Sequence, residues 1–186
     1  MITLEVVTPE NAMVFKGVRL RALQDTPSAF SSTYADESQL TDTEWLNRVT
    51  QWSGKRSRTY LAMDTAGPCG IAGGFFDQDD LHRAHLVSMW VAPTHRGLGI
   101  GAQLVNAIVD WVRAEGARTL RLIVTSNNDG AIEFYQSLGF TITAKIGPYR
   151  NDPDLNDLEM VRSIPDVGSI VTIDCAGRHA IVFRSS

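Results

Sequence analysis

Met89-Trp90-Val91-Ala92-Pro93-Thr94-His95-Arg96-Gly97-Leu98-Gly99-Ile100-Gly101 is the stretch on which the fold turns. His82 to Val91 reads as a β-strand, and Pro93 ends it. Three alternate glycines then make a tight loop. Beyond it, Leu104, Val105, Ile108, Val109 and Val112 recur at helical spacing over Ile100 to Ala114, until Gly116 stops the helix. The first turn of a helix carries unpaired N–H groups and a partial positive charge, so it attracts anions. Glycines allow positive φ and close backbone approach to a phosphate, and Arg96 adds a cation. The ligand this arrangement predicts is a pyrophosphate.

Working outward, strand-like and helix-like segments alternate, which predicts a mixed sheet with helices packed on it. Ile2 to Val7 is the first strand, and Pro9-Glu10 opens a helix whose apolar positions are Met13, Val14, Val18, Leu20 and Leu23. Thr41 to Glu44 has the form of a capping box before a helix bearing Trp45, Leu46 and Val49. Thr59 to Met63 and Gly70 to Phe76 form a hairpin across Thr65-Ala66-Gly67-Pro68. Leu120 to Val124 is dense in branched residues and reads as a buried central strand. A short helix over Ala131 to Ser137 follows, then strands at Phe140 to Ala144 and Leu158 to Val161. Val167 to Cys175 and His179 to Arg184 suggest a further hairpin.

The 186 residues are enough for one core, and 44% apolar with 20% charged residues is the balance of a globular chain. The net charge of −4 is spread out, with no basic tract beyond Lys55-Arg56, so nucleic acid is not the expected partner. Cys69 and Cys175 lie far apart and form no metal-ligand pair, and no metal is expected. With no leader-like start and no run of ~20 apolar residues, the chain reads as cytoplasmic and free of membrane.

Other nucleotide folds fit the loop less well. A phosphate loop of the G-x-x-x-x-G-K-[ST] kind is absent. Gly97 to Ala102 fits the dinucleotide fingerprint, but the next strand ends Val124-Thr125-Ser126 without the acid that fingerprint requires. Arg96, Gly99 and Gly101 instead match the Q/R-x-x-G-x-G/A signature of the GNAT acetyltransferase superfamily, after a Val91-Ala92-Pro93 strand ending typical of it. Asn128 to Phe140, with Ala131, Tyr135 and Gly139, resembles that superfamily's N-x-x-A-x-x-x-Y-x-x-x-G-F block. The resemblance spans about Met1 to Arg162.

That resemblance implies an α+β domain over 1–163, with a mostly antiparallel sheet of six to seven strands flanked by helices. It leaves 164–186 as an extension. It implies acetyl-coenzyme A as co-substrate, an amine as acceptor, and an organisation compatible with a homodimer. A non-catalytic coenzyme A-binding sensor is the second reading. By resemblance, the amides of Trp90, Val91 and Ala92 bind the pantetheine arm and polarise the thioester. Arg96, Gly97, Leu98, Gly99, Ile100 and Gly101 hold the pyrophosphate, and Asn128 contacts the arm. Tyr135 stands near the departing sulfur, where a phenol donates a strengthening hydrogen bond. An amine of pKa ~10.4 is neutral in about one molecule in 2,500 at pH 7, a cost of ~4.6 kcal/mol, so the site needs a base, a desolvating pocket or a low-pKa amine such as an α-amino group. Histidine is the side chain suited to proton transfer near neutral pH, which makes His85 the candidate base, with Ser88, Asp77 and Glu159 nearby. Phe30, Tyr34, Trp45 and Tyr149 are candidates for the acceptor pocket.

Overall fold

A computed structural model describes residues 1–149, 152–165, 170–173 and 179–182. The strands are β1 (Thr3–Val6), β2 (Ser57–Asp64), β3 (Gly67–Phe76), β4 (Arg83–Val91), β5 (Thr119–Thr125), β6 (Thr141–Tyr149) and β7 (Asp152–Ser163). They form one seven-stranded sheet in the order β1-β2-β3-β4-β5-β7-β6. Every neighbouring pair is antiparallel except β4 and β5. Parallel neighbours need a crossover, and α4 (Ile100–Ala114) supplies it. The remaining helices are α1 (Ala12–Asp25), α2 (Tyr34–Ser38), α3 (Asp42–Trp52) and α5 (Asp129–Ser137). The mixed, mostly antiparallel sheet flanked by helices is the architecture expected from the sequence. Two short strands, β8 (Ile170–Ile173) and β9 (His179–Val182), pair antiparallel with each other, while Cys175 and the segment joining them lie outside the described residues.

Glycines in β3 let α4 lie close on the sheet. A β-carbon at Gly70 would stand 3.1 Å from Leu104, and one at Gly74 would stand 3.0 Å from Trp111 and 3.1 Å from Ile108. Buried Leu104, Ile108 and Val112 make this the main core layer. On the other face α1 packs on β3 and α3 on β2, with Phe15 set edge-on to the fully buried Trp45 at 6.0 Å.

Several sequence expectations shift. The β2–β3 turn is shorter than expected: Gly67 and Pro68 already pair within β3, and the Asp64 carboxylate caps the turn by accepting from the Ala66 and Gly67 amides. Helix α1 buries Phe15, Val18, Ala22 and Leu23 while Met13 and Val14 are exposed, because its inner face carries a polar residue, Arg19. Strand β5 is central but not buried on both sides, and Ile123 is 60% exposed. Strand β7 runs from Asp152 rather than Leu158, and it lies between β5 and β6 rather than after them.

Candidate functional site

Strands β4 and β5 pair only over Arg83–His85 and Thr119–Arg121. Beyond that rung they part, although β4 stays paired to β3 as far as Val91 and β5 stays paired to β7. One edge of β4 therefore faces an opening in the middle of the sheet. Between Val87, opposite Gly73, and Trp90, opposite Ile71, β4 carries one residue more than β3. This β-bulge holds Ser88 at φ 56°, a conformation that costs a residue bearing a β-carbon about 1–2 kcal/mol.

The ladder decides which amides reach the opening. The Ala92 N–H donates to the Cys69 carbonyl at 2.8 Å. Residues two apart point the same way, so the Trp90 amide is also turned to β3 and the Val91 N–H and C=O face the gap. The expectation that the amides of Trp90, Val91 and Ala92 all bind the pantetheine arm does not fit Ala92 and Trp90, whose N–H groups are turned to β3, and leaves Val91 of the three.

At the mouth of the gap, Pro93–His95 forms a 3-10 turn, and Gly97 and Gly99 both take φ 77°. Gly99 is the N-cap of α4, and no side chain caps it, so first-turn amides stay open to an anion. Ile100 is buried and anchors the helix start, whereas Leu98 is 65% exposed. Gly101 is small for a different reason. A β-carbon there would lie 3.0 Å from the Phe134 ring and 3.1 Å from Met89 Cε, so it allows α5 to close on α4.

Arg96 is not a free cation. Its Nε donates to the Val91 carbonyl at 3.0 Å, and its guanidinium pairs with Asp25, which also accepts from Trp90 Nε1 at 2.8 Å. Burial alone would raise the Asp25 carboxyl, but hydrogen bonds from Trp90 and Thr26 and the charge of Arg96 hold it below the usual range. The loop is tied on its other side by His95 Nε2, 2.8 Å from Asp64. Hydrogen bonds from His95 and from the Ala66 and Gly67 amides lower the Asp64 carboxyl.

Helix α5 follows β5 at the open end. Asn128 caps it, its Oδ1 accepting from the Ala131 amide at 3.2 Å, which leaves the side-chain NH2 for a ligand. Tyr135 packs against Phe134 at 5.2 Å and Phe140 at 5.7 Å between ring centroids. Burial pushes its phenol well above its usual pKa.

On the face opposite α4, Arg19 and Glu37 form a buried ion pair at 3.1 Å. Arg19 also donates to Ser88 Oγ at 3.0 Å and Ser32 Oγ at 2.7 Å, and lies over the Phe30 ring at 4.5 Å. The bulge is thus buttressed from α1 and α2. Phe30 and Trp45 are buried, so neither presents a free ring as an acceptor pocket would need; Tyr34 is exposed, and the Tyr149 side chain lies outside the described residues.

His85 is not brought to the gap. Its Nε2 lies 2.6 Å from Asp77 Oδ1, and its ring stacks on Phe75 at 4.8 Å. It stands on the last closed rung, five residues from Trp90 and so about 16 Å away along the strand. The sequence reading missed two groups here. Arg19 gave no signal because its partner Glu37 lies on another helix, and Asp157 lay in a stretch that does not look like a strand. Among the described residues, no group of three His, Cys, Asp or Glu is placed to hold a metal, and no helix is long and apolar enough to cross a membrane.

Residues 20–140 match the acetyltransferase (GNAT) family model. Streptothricin acetyltransferase of Streptomyces lavendulae is 38% identical over 88 residues, covering 45% of this chain and 44% of that one. The chain spans less than half the length of the first curated relatives it matches. Among solved structures, an acetyltransferase of the GNAT family from Streptococcus pneumoniae is 24% identical with a TM-score of 0.76, over 89% of this chain and all (100%) of that one. The structure of yncA from Salmonella typhimurium, solved with its cofactor acetyl-CoA, is 17% identical with a TM-score of 0.72, over 91% and 98%.

Proposed function

The chain belongs to the acetyltransferase (GNAT) family, and from that premise we propose that it moves the acetyl group of acetyl-coenzyme A to a primary amine, by direct attack of the amine on the thioester. The observation that carries this reading is the parted β4–β5 edge meeting an uncapped helix start. A long thioester with an anionic head fits such a slot, its pyrophosphate on the open amides of 97–101 and its arm along the free edge of β4. Of the Trp90, Val91 and Ala92 amides, the Val91 N–H is the one turned away from β3 and so available to the arm. Asn128 offers its NH2 to the same arm, and Arg96 acts by bracing Val91 against Asp25.

Tyr135 has a phenol too weakly acidic to give up its proton to a thiolate outright. It donates a hydrogen bond that strengthens as charge builds on the departing sulfur. Residues 1–163 form the catalytic domain in this reading, 164–186 an extension, and the protein works in the cytoplasm. The acceptors named for the curated relatives, streptothricin and methionine sulfoximine or sulfone, are theirs; for this chain the class is a primary amine.

Calorimetric titration with acetyl-coenzyme A, with NAD alongside, tests the reading, followed by thiol-release assays over a panel of primary amines. Micromolar binding and amine-dependent thiol release support it. Absence of acetyl-coenzyme A binding, or binding of NAD in its place, overturns it.

A further inference from the structure

The open face of the sheet, opposite α4, carries Arg83 and His85 of β4, Arg121 of β5, and Asp157 and Glu159 of β7. Almost all are committed to one another. Asp77 binds His85 and Arg83, while Glu159 lies 2.5 Å from Arg121 and accepts from Thr143 at 2.8 Å. Asp157 is different: among the described residues it has no hydrogen-bond or ion-pair partner, and only burial acts on its carboxyl. Its face is fixed by register. Leu158 and Met160 lie opposite Val124 and Leu122, which are buried beneath the α4 and α5 layer. Asp157 therefore shares the outer face with Ile123, Glu159 and Arg121.

Its position relative to the gap follows from the same register. Asp157 stands opposite Thr125, the last paired residue of β5, at the end of β5 that has parted from β4, with β5 itself lying between Asp157 and the gap. The 3-10 turn Pro27–Ala29 reaches across from the end of α1 to β5, and Thr125 is only 8% exposed. A half-buried carboxylate thus stands one strand in from the open end of the slot, on the outer face of the sheet. Among the described side chains, the groups around it are uncharged or neutralised. Thr125 faces it from β5, Gly147 lies opposite on β6, the Pro27–Ala29 turn carries no charge, and Glu159 is paired with Arg121. Burial raises its carboxyl from the ordinary aspartate value, the direction a base requires.

We propose that Asp157 is the base of the transfer, and that the acceptors are amines that reach this face as ammonium ions. The inference rests on the acetyl-transfer reading above. An ammonium N–H bond breaks and its proton passes to an Asp157 carboxylate oxygen. The freed lone pair forms the N–C bond at the thioester carbonyl carbon, and the C–S bond breaks with its electron pair going to sulfur. The surplus proton on nitrogen passes to that thiolate, leaving the amide and the free thiol, and Asp157 returns its proton to water.

The test compares wild type with Asp157→Asn and Asp157→Glu in thiol release from acetyl-coenzyme A. Two probe amines are used: benzylamine, protonated at neutral pH, and trifluoroethylamine, mostly neutral there. The kcat/KM is followed from about pH 5 to 9. The expected result for Asp157→Asn is a loss of about 10²–10⁴-fold with benzylamine, with its acid limb flattened, and a loss below about tenfold with trifluoroethylamine. Asp157→Glu is expected to keep the limb. Equal losses for both amines, an acid limb that survives in Asp157→Asn, or a wild type that acetylates neither amine would each overturn the proposal. Calorimetry with acetyl-coenzyme A on all three proteins separates these outcomes from failure of the transferase reading, in which wild type itself does not bind.

Discussion

Replacing Glu37 by Gln keeps the shape of the side chain and removes its charge, leaving the Arg19 guanidinium buried without its counter-ion. Arg19 and Glu37 are 7% and 3% exposed at the side chain, and among the described residues Arg48 is the only other cation near the carboxylate, at 3.5 Å. Stranding a buried charge in this way costs about 3–5 kcal/mol, a large share of the roughly 5–15 kcal/mol that holds a domain together. At about 2–4 °C per kcal/mol for a chain of this size, the melting temperature should fall by roughly 6–20 °C. Urea denaturation gives the free energy directly. Removing both charges, as Arg19→Met with Glu37→Leu, should recover most of the loss, because the desolvation cost disappears with the pair. Acid titration provides a second readout. Burial alone would raise the Glu37 carboxyl, but hydrogen bonds and charge from Arg19, with Ser32 and Arg48, outweigh it and hold it low. Its stabilisation is therefore complete above the unfolded value of about 4.3 and is lost as pH falls through the lower folded value. Glu37→Gln should lack that part of the acid slope. A loss below about 1 kcal/mol, or a double variant no better than the single, would refute this account of the pair.

Gly101→Ala places a methyl against Phe134 and Met89, so overpacking should cost about 1–3 kcal/mol and weaken acetyl-coenzyme A binding by calorimetry. Gly99→Ala meets no steric neighbour but must hold φ 77°; thermal denaturation should show a loss of about 1–2 kcal/mol. Tyr135→Phe should lower kcat while leaving stability and acetyl-coenzyme A affinity near wild type, and an unchanged kcat would remove the hydroxyl from the mechanism. His85→Asn should leave the kcat/KM pH profile intact, since the imidazole faces Asp77 on a closed rung; loss of a limb would restore it as a base.

The parts of the fold that were legible in the sequence are those governed by local period and punctuation. Ile100–Ala114 came out residue for residue because its apolar spacing is clean and glycines flank both ends. The glycine loop was legible as the start of that helix for the same reason. What could not be read depended on distant partners. The inner face of α1 was set out of phase because a buried arginine satisfied by Glu37 looks, in one dimension, like a surface residue. Strand β7 was cut short because Asp152 to Asp157 is rich in Asp, Asn and Pro, and pairing with β6 overrides that poor propensity. With it went Asp157. The fates of the Trp90 and Ala92 amides depended on β3, and the commitment of Arg96 depended on Asp25, 71 positions earlier.

The extra residue at Ser88 has a bearing on how this chain can change over time. It resets the frame of β4: Leu86 and Met89 point toward α4, whereas Val87, Ser88 and Trp90 point toward α1. Deleting one residue here would rotate everything downstream by half a period. Met89 would lose Gly101, Trp90 would lose Asp25, and the Val91 amide would turn into the ladder. Point substitutions can be absorbed in this strand, but a change of length cannot. Variation in length is expected instead in the Asp77–His82 connection, where the exposed Leu81 marks a segment free to lengthen without disturbing that frame.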